Sequence, residues 1–333
     1  MEGALHMNDN MKKRENQEDA FPIEALEEKK MENTKLADAA ELAGYEAEAR
    51  RLRSCGLFPV VAVNKLTGKK GLISLFHCCV RLCPVCEWRR SRTNFFKLSS
   101  AFEWIRQKEP GLVPVFLTLT VKNTDADGLR SAISHMLQSF SRLTIQREVK
   151  ACLRGYYRGV EVTRNRRTGE YHPHIHVLML MPETYAQKNG PYISHAEWVR
   201  RWKMALGVDY SPSVRIERVG QTGNELAEHK AVLEVVKYSV KGSDMLTGTK
   251  RTQARVWSEL YPALRQVRLM GTGGIIREAL RALKLDKLDE LESPEDMSVA
   301  RQVEASPADW VLLYWRWGGS GYVLDSRKDG AEK

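Results

Sequence analysis

In Tyr171-His172-Pro173-His174-Ile175-His176-Val177-Leu178-Met179-Leu180, two imidazoles, His174 and His176, are separated by a single apolar residue. Side chains alternate across a β-strand, so these histidines point one way and Ile175, Val177 and Met179 the other. The apolar set suits the core side of a sheet. Both imidazoles then stand on the open face about 7 Å apart along the strand, where they can chelate a divalent ion given a third ligand. The polar turn Asn165-Arg166-Arg167-Thr168-Gly169 predicts a hairpin joining a strand near 157–163 to one near 175–180. A turn centred near Arg167 and Thr168 sets Glu161 opposite His174 and on its face, with Val160 and Val162 turned inward. A register slip of two residues keeps that face, whereas a slip of one buries Glu161.

A second group lies in Leu233-Glu234-Val235-Val236-Lys237-Tyr238-Ser239-Val240-Lys241. At helical spacing Glu234, Tyr238 and Lys241 share one stripe, and Val232, Val235, Val236 and Val240 face a core. A phenol with a pKa near 10 is a poor nucleophile until a neighbour takes its proton or a metal polarises its target. Activated in that way, Tyr238 can attack a backbone phosphorus. Glu234 is placed to accept the phenol proton or to activate a water, and Lys241 to assist electrostatically.

The third group is cysteine. Cys78, Cys79, Cys83 and Cys86 lie close together, with Cys55 upstream. Cys83-Pro84-Val85-Cys86 forms a CxxC knuckle, which Cys55 plus Cys78 or Cys79 could complete as a tetrahedral four-cysteine zinc site. Four thiolates leave no open position on the ion, so the expected role is structural. A redox CxxC needs a thioredoxin-like βαβ setting, which the sequence lacks. Arg81, Arg89, Arg90 and Arg92 then form a basic surface on the knuckle suited to DNA phosphates. Cys152 is isolated and expected to be structural.

These groups need elements to hold them. Val115-Phe116-Leu117-Thr118-Leu119-Thr120-Val121 reads as a buried strand, and residues 129–149 carry apolar side chains at helical spacing. Helices are predicted over 195–206 and 224–241, and a strand over 214–219. Helices interleaved with hairpin-linked strands imply an α+β fold with a mostly antiparallel sheet. Further on, 274–291 reads as an amphipathic helix, and 310–322 as a strand pair turning at Gly318-Gly319. The aromatics Trp310, Tyr314, Trp315 and Trp317 could stack on bases, although packing is the commoner use.

The division expected is a mixed-charge extension over 1–50, disordered or loosely helical, and a cysteine-rich module over 51–100. A sheet domain over 101–245 and an accessory region over 246–333 follow. The formal charge of the 333-residue chain is +10. Residues 1–50 hold seven Lys/Arg and thirteen Asp/Glu, a net of −6, so the remainder carries +16. That body favours a polyanionic partner, nucleic acid above all. No stretch approaches the roughly 18 apolar residues of a membrane span, and the first 50 residues lack a signal-peptide core. The expectation is therefore a cytoplasmic protein whose cysteines bind metal or stay as thiols.

Phe116-Leu117-Thr118-Leu119-Thr120, His172-Pro173-His174-Ile175-His176 and Val236-Lys237-Tyr238-Ser239-Val240-Lys241 resemble, in order, the three motifs of HUH endonucleases. The resemblance covers roughly residues 51–245 and is nearest to bacterial rolling-circle plasmid replication initiators. It implies a five-stranded antiparallel sheet carrying the histidine pair, a helix presenting the nucleophile, and Mg2+ or Mn2+ as the ion. On it, His174 and His176 are metal ligands and Tyr238 is the nucleophile. Glu234 takes the place of the first tyrosine in relatives with Tyr-x3-Tyr, which implies one tyrosine and carboxylate-assisted termination. The spacing Cys78-x4-Cys83-x2-Cys86 before Trp88-Arg89-Arg90-Ser91 resembles a segment preceding the nicking domain in these initiators, favouring Cys78 over Cys79. Origin DNA, single-stranded or in a hairpin, is the implied substrate, with host helicase and polymerase as partners. Two rivals share these features: a single-tyrosine HUH transposase and a non-catalytic zinc-containing DNA-binding protein.

Overall fold

A computed structural model describes residues 23–186, 190–219, 225–236, 240, 242–289, 291–292 and 294–325. In chain order its elements begin with α1 (Ile23–Leu42), α2 (Glu46–Ser54), β1 (Val60–Asn64), β2 (Lys70–Ser74) and α3 (Pro84–Lys108). The central part holds β3 (Leu112–Thr120), α4 (Ala126–Thr144), α5 (Arg147–Cys152), β4 (Gly155–Arg164), β5 (Tyr171–Pro182), α6 (His195–Leu206) and β6 (Val214–Arg218). After these come α7 (Glu225–Val235), α8 (Gly242–Met245), α9 (Lys250–Leu264), β7 (Met270–Gly274) and α10 (Ile275–Ala282). The last are α11 (Pro294–Ala305), β8 (Trp310–Trp317) and β9 (Tyr322–Leu324).

The strands form two antiparallel sheets: a five-stranded one, β6-β3-β5-β4-β7, and a four-stranded one, β2-β1-β8-β9. Alternation along β3 and β5 sends Val115, Leu117, Ile175, Val177 and Met179 to one face. There they meet Leu129, Ile133, Met136 and Phe140 of α4 and the buried indoles Trp198 and Trp202 of α6. On the opposite face Tyr157, Leu178 and Leu180 meet Leu98, Phe102 and Ile105 of α3, Val232 and Val235 of α7, and Ile276 of α10. Helix α6 keeps the limits expected from sequence because both ends are signalled. The Ser194 side chain accepts from Glu197 N–H, and Gly207 closes the helix at φ 69°.

Three expectations are corrected. Residues 23–50 hold packed helices rather than a loose extension: Leu26, Leu36, Ala37 and Ala40 of α1 are buried, together with Lys30 and Asn33. Each buried leucine contributes about 1.5–3 kcal/mol, enough to hold the helix down. Residues 51–100 and 246–333 are not separate bodies, since β1 of the first pairs with β8 of the second. Strand β7 also closes the edge of the main sheet through β4. The helix expected over 274–291 ends at Ala282, and α7 is described only over Glu225–Val235. Trp310 is buried beside Ala62 and Val299, a packing position rather than a base-stacking one.

Candidate metal centres and nucleic-acid interface

Hairpin β4–β5 adopts the register expected from its turn. Glu161 pairs with His174, and Gly159 with His176. Glu161, His174 and His176 share the face that also carries Tyr157 and Leu178. Glu161 Oε2 lies 3.1 Å from His176 Nε2 and 3.4 Å from His174 Nε2. Ligands bonded at about 2.1 Å to a tetrahedral or octahedral ion stand about 3.0–3.4 Å apart, so this donor set fits a divalent cation. Nitrogen and oxygen donors together suit Mg2+, Mn2+ or Zn2+.

The outer partners fix the imidazoles. His174 Nδ1 lies 3.2 Å from the His172 carbonyl, an acceptor, so Nδ1 carries the proton and Nε2 keeps its lone pair for a metal. His176 Nδ1 lies 3.2 Å from Thr118 Oγ1, its cross-strand neighbour on β3. Thr118 therefore orients the His176 ring, a role that the sequence motifs did not assign. Its signal was its strand parity, opposite to that of Val115, Leu117 and Leu119. The His172 ring stacks on His174 at 5.4 Å. Burial pushes the His172 imidazole below its usual range, and His174 adds to the effect.

Helix α7 reaches this face by close backbone approach. A Cβ built on Gly159 would stand 2.5 Å from the Val235 carbonyl oxygen, so only glycine admits the helix at that point. Val232 and Val235 of α7 are buried, as are Val236 and Val240 beyond its described end. Beyond them, Asp244 Oδ2 lies 3.5 Å from Arg164 N, and Asp244 Oδ1 lies 3.8 Å from Arg166. The chain is thus held to β4 near Gly159 and again near Arg164, on either side of Glu161. Glu234 lies within the described residues, whereas Tyr238 and Lys241 lie outside them.

Cys55, Cys78, Cys83 and Cys86 form the second cluster. Cys55 Sγ is 3.6 Å from Sγ of both Cys83 and Cys86, and Cys78 Sγ is 3.8 Å from that of Cys86. A disulfide needs about 2.05 Å. Four thiolates at about 2.3 Å from one ion have tetrahedral edges of about 3.8 Å, so the set fits zinc. Cys79 is exposed and outside the cluster, which decides between it and Cys78. Hydrogen bonds from Cys55, Cys83 and Cys86 hold the Cys78 thiol far below its ordinary range, while burial pushes Cys83 up. Burial pushes the neighbouring Lys30 ammonium down, and Cys55, Cys83 and Cys78 oppose that shift.

The basic surface expected on the knuckle needs correction. Arg89 is buried and pairs with Asp296 at 2.6 Å, because Leu288, Leu291, Glu292 and Asp296 lie against α3. Arg90 binds Glu87 at 2.8 Å, Arg81 stands 3.7 Å from the same carboxylate, and Arg92 lies over the Trp88 ring. The more open basic surface lies along edge strand β7. A cleft of about 360 Å3 is lined by Lys97, Arg268, Arg277 and Arg281, with Asp286 the acidic member. Arg268 and Met270 also line a smaller cleft beside Arg81 and Arg90. Arg268 and Arg281 make no ion pair among the described residues.

An antiparallel sheet with a Glu–His–His donor set on one strand pair, beside a four-cysteine cluster, defines an α+β protein with two donor sets compatible with metal binding. The replication-protein family matches residues 69–323, and the chain belongs to that family, the rolling-circle plasmid replication initiators. It is 34% identical over 296 residues to a Bacillus amyloliquefaciens protein rep, covering 84% of this chain and 86% of that one. A Streptococcus pneumoniae protein rep is 36% identical over 263 residues, covering 78% and 80%. A Staphylococcus aureus replication protein is 31% identical over 226 residues, covering 67% and 94%. No solved structure matches. Among the described residues no helix is long and apolar enough to cross a membrane.

Proposed function

We propose that this chain nicks one strand of a plasmid origin and rejoins it through a covalent 5′-phosphotyrosine at Tyr238, starting rolling-circle replication. The observation that carries this reading is the double attachment of the α7–α8 segment to β4. Val235 over Gly159 and Asp244 at Arg164 flank the Glu161 position, and Tyr238 falls between those two attachments in sequence. The test is incubation of the full chain with a single-stranded origin oligonucleotide and Mn2+. A covalent adduct whose peptide mass maps to Tyr238 is the expected result. Binding without any adduct would leave a non-catalytic DNA-binding protein, and joining of transposon ends in place of an origin would make it a transposase.

In this reading the Tyr238 phenol oxygen attacks the scissile phosphorus. One P–O bond forms to tyrosine, the bond to the 3′ oxygen breaks, and that oxygen leaves as a hydroxyl. Glu234 accepts the phenol proton, which is then available to the departing oxygen, or it activates the water that later hydrolyses the phosphotyrosine. Lys241 offsets charge on the phosphate. Glu161, His174 and His176 would hold Mg2+ or Mn2+, which supplies polarisation of the phosphate oxygen. Cys55, Cys78, Cys83 and Cys86 would hold a structural Zn2+.

Glu234→Ala separates the two carboxylate roles. If Glu234 serves termination, nicking stays near the wild-type rate while hydrolytic release slows by roughly 10²- to 10⁴-fold in single-turnover assays. Equal loss in both steps would make it the base for Tyr238 instead.

The cleft along β7 is the proposed path for the DNA backbone. Tyr157 on its wall shares a strand face with Glu161 four residues away, about 13 Å along β4. Arg268→Ala with Arg281→Ala should lower the slope of log affinity against log salt by roughly 1.4, about 0.7 for each single-strand phosphate that is no longer neutralised. An unchanged slope places the DNA elsewhere. Host helicase and polymerase are the proposed partners, in the cytoplasm of a bacterial host.

A further inference from the structure

The cysteine cluster faces an N-terminal helix that is polar where it should be apolar. Lys30 and Asn33 stand on the buried side of α1, 1% and 0% exposed, in line with Leu26, Ala37 and Ala40. Burying an ammonium is costly unless a negative group balances it. No carboxylate lies within ion-pair distance of Lys30 among the described residues. Its Nζ instead donates to the carbonyls of Arg53 and Cys55, both at 2.6 Å. Asn33 Oδ1 accepts from Cys83 Sγ at 3.4 Å, and its Nδ2 donates to the Leu52 carbonyl at 2.6 Å. Four thiolates around one divalent ion leave two negative charges in a buried site, and an adjacent ammonium is the group that offsets them.

The same helix also meets residues that follow α7. Lys29 and Glu32 line a small cavity with Leu82, Pro84 and Glu87 of the knuckle and with Val240, Gly242 and Met245, and a Cβ on Gly242 would meet the Glu32 carboxylate at 3.4 Å. Val240 is two residues from Tyr238. Helix α1 therefore spans from the cysteine knuckle to the segment that follows the proposed nucleophile. It lies before residue 69, where the family match begins.

We infer that α1, through Lys30, is the outer shell of the cysteine metal site and the strut that ties zinc loading to seating of Val240, Gly242 and Met245. The inference rests on reading the cluster as a zinc site, so metal analysis of the full chain comes first. Absence of bound zinc defeats that reading. With zinc present, chelator removal in the wild-type chain should raise amide exchange in peptides covering 23–42 and 240–245, while the β3–β5 peptides stay protected. Equal protection of 23–42 with and without zinc overturns the inference. Lys30→Met should release zinc to a competing chelator with roughly 10- to 100-fold weaker retention. Wild-type retention in a folded Lys30→Met chain also overturns it. Should that variant fail to fold, the exchange experiment on the wild-type chain still decides.

Discussion

Tyr238→Phe is expected to abolish the covalent adduct and lower strand cleavage by roughly 10⁴-fold or more, the scale on which removal of a catalytic nucleophile acts. Phenylalanine keeps the ring and its packing and deletes only the oxygen that would bond to phosphorus. Origin binding and thermal stability should stay at wild-type levels, which separates loss of chemistry from loss of fold. The measurement is denaturing electrophoresis of a labelled oligonucleotide with protein, read for both adduct and free 3′ product. An undiminished adduct in Tyr238→Phe would assign the bond to another side chain. Two tyrosines of the β4–β5 pair are already engaged, Tyr157 on this face and Tyr171 on the opposite one. Tyr157 directs its hydroxyl to Met270 Sδ, and the Tyr171 hydroxyl is tied to Glu259. Burial, then the Glu259 hydrogen bond, pushes the Tyr171 phenol well above its usual range, which makes it a still poorer nucleophile.

Replacing His174 and His176 together by Ala should cut cleavage by about three orders of magnitude while largely sparing DNA binding. A bound cation contributes several kcal/mol of charge stabilisation to a transferring phosphate, and about 1.4 kcal/mol is tenfold in rate. In the proposed path binding depends instead on the basic cleft, which lies along the opposite edge of β4 from β5 and contains neither histidine. Titrating Mn2+ into wild-type and variant proteins supplies the control. The wild type should show saturable activation, and the variant should show none at concentrations that saturate the wild type. Cleavage by the double variant at the wild-type rate would remove the metal centre from the mechanism. Thr118→Val is a milder case of the same argument, because it releases one ring without deleting a ligand.

Much of the centre was determined by the sequence alone because its geometry is local. Strand alternation places His174 and His176 on one face whatever surrounds them, and a turn centred near Arg167 and Thr168 suggests Glu161 opposite His174, a register open to slippage in the sequence and found in the fold. Helix α6 carries both of its stop signals within the chain segment itself. The four cysteines were legible by type and spacing, although the choice of Cys78 over Cys79 needed the fold, which turns the Cys79 side chain outward. Three features depended on contacts between distant residues. Strand β7, Met270-Gly271-Thr272-Gly273-Gly274, has no apolar alternation and becomes a strand only by pairing with β4. Arg89 looks like a free cation until Asp296, more than two hundred residues later, folds against it. Helix α1 reads as a solvated appendage because two residues of its buried stripe are Lys30 and Asn33. Their burial follows from what they face, the Leu52, Arg53 and Cys55 carbonyls that accept from them and the Cys83 thiol that donates to Asn33, and only the tertiary structure brings those groups to them.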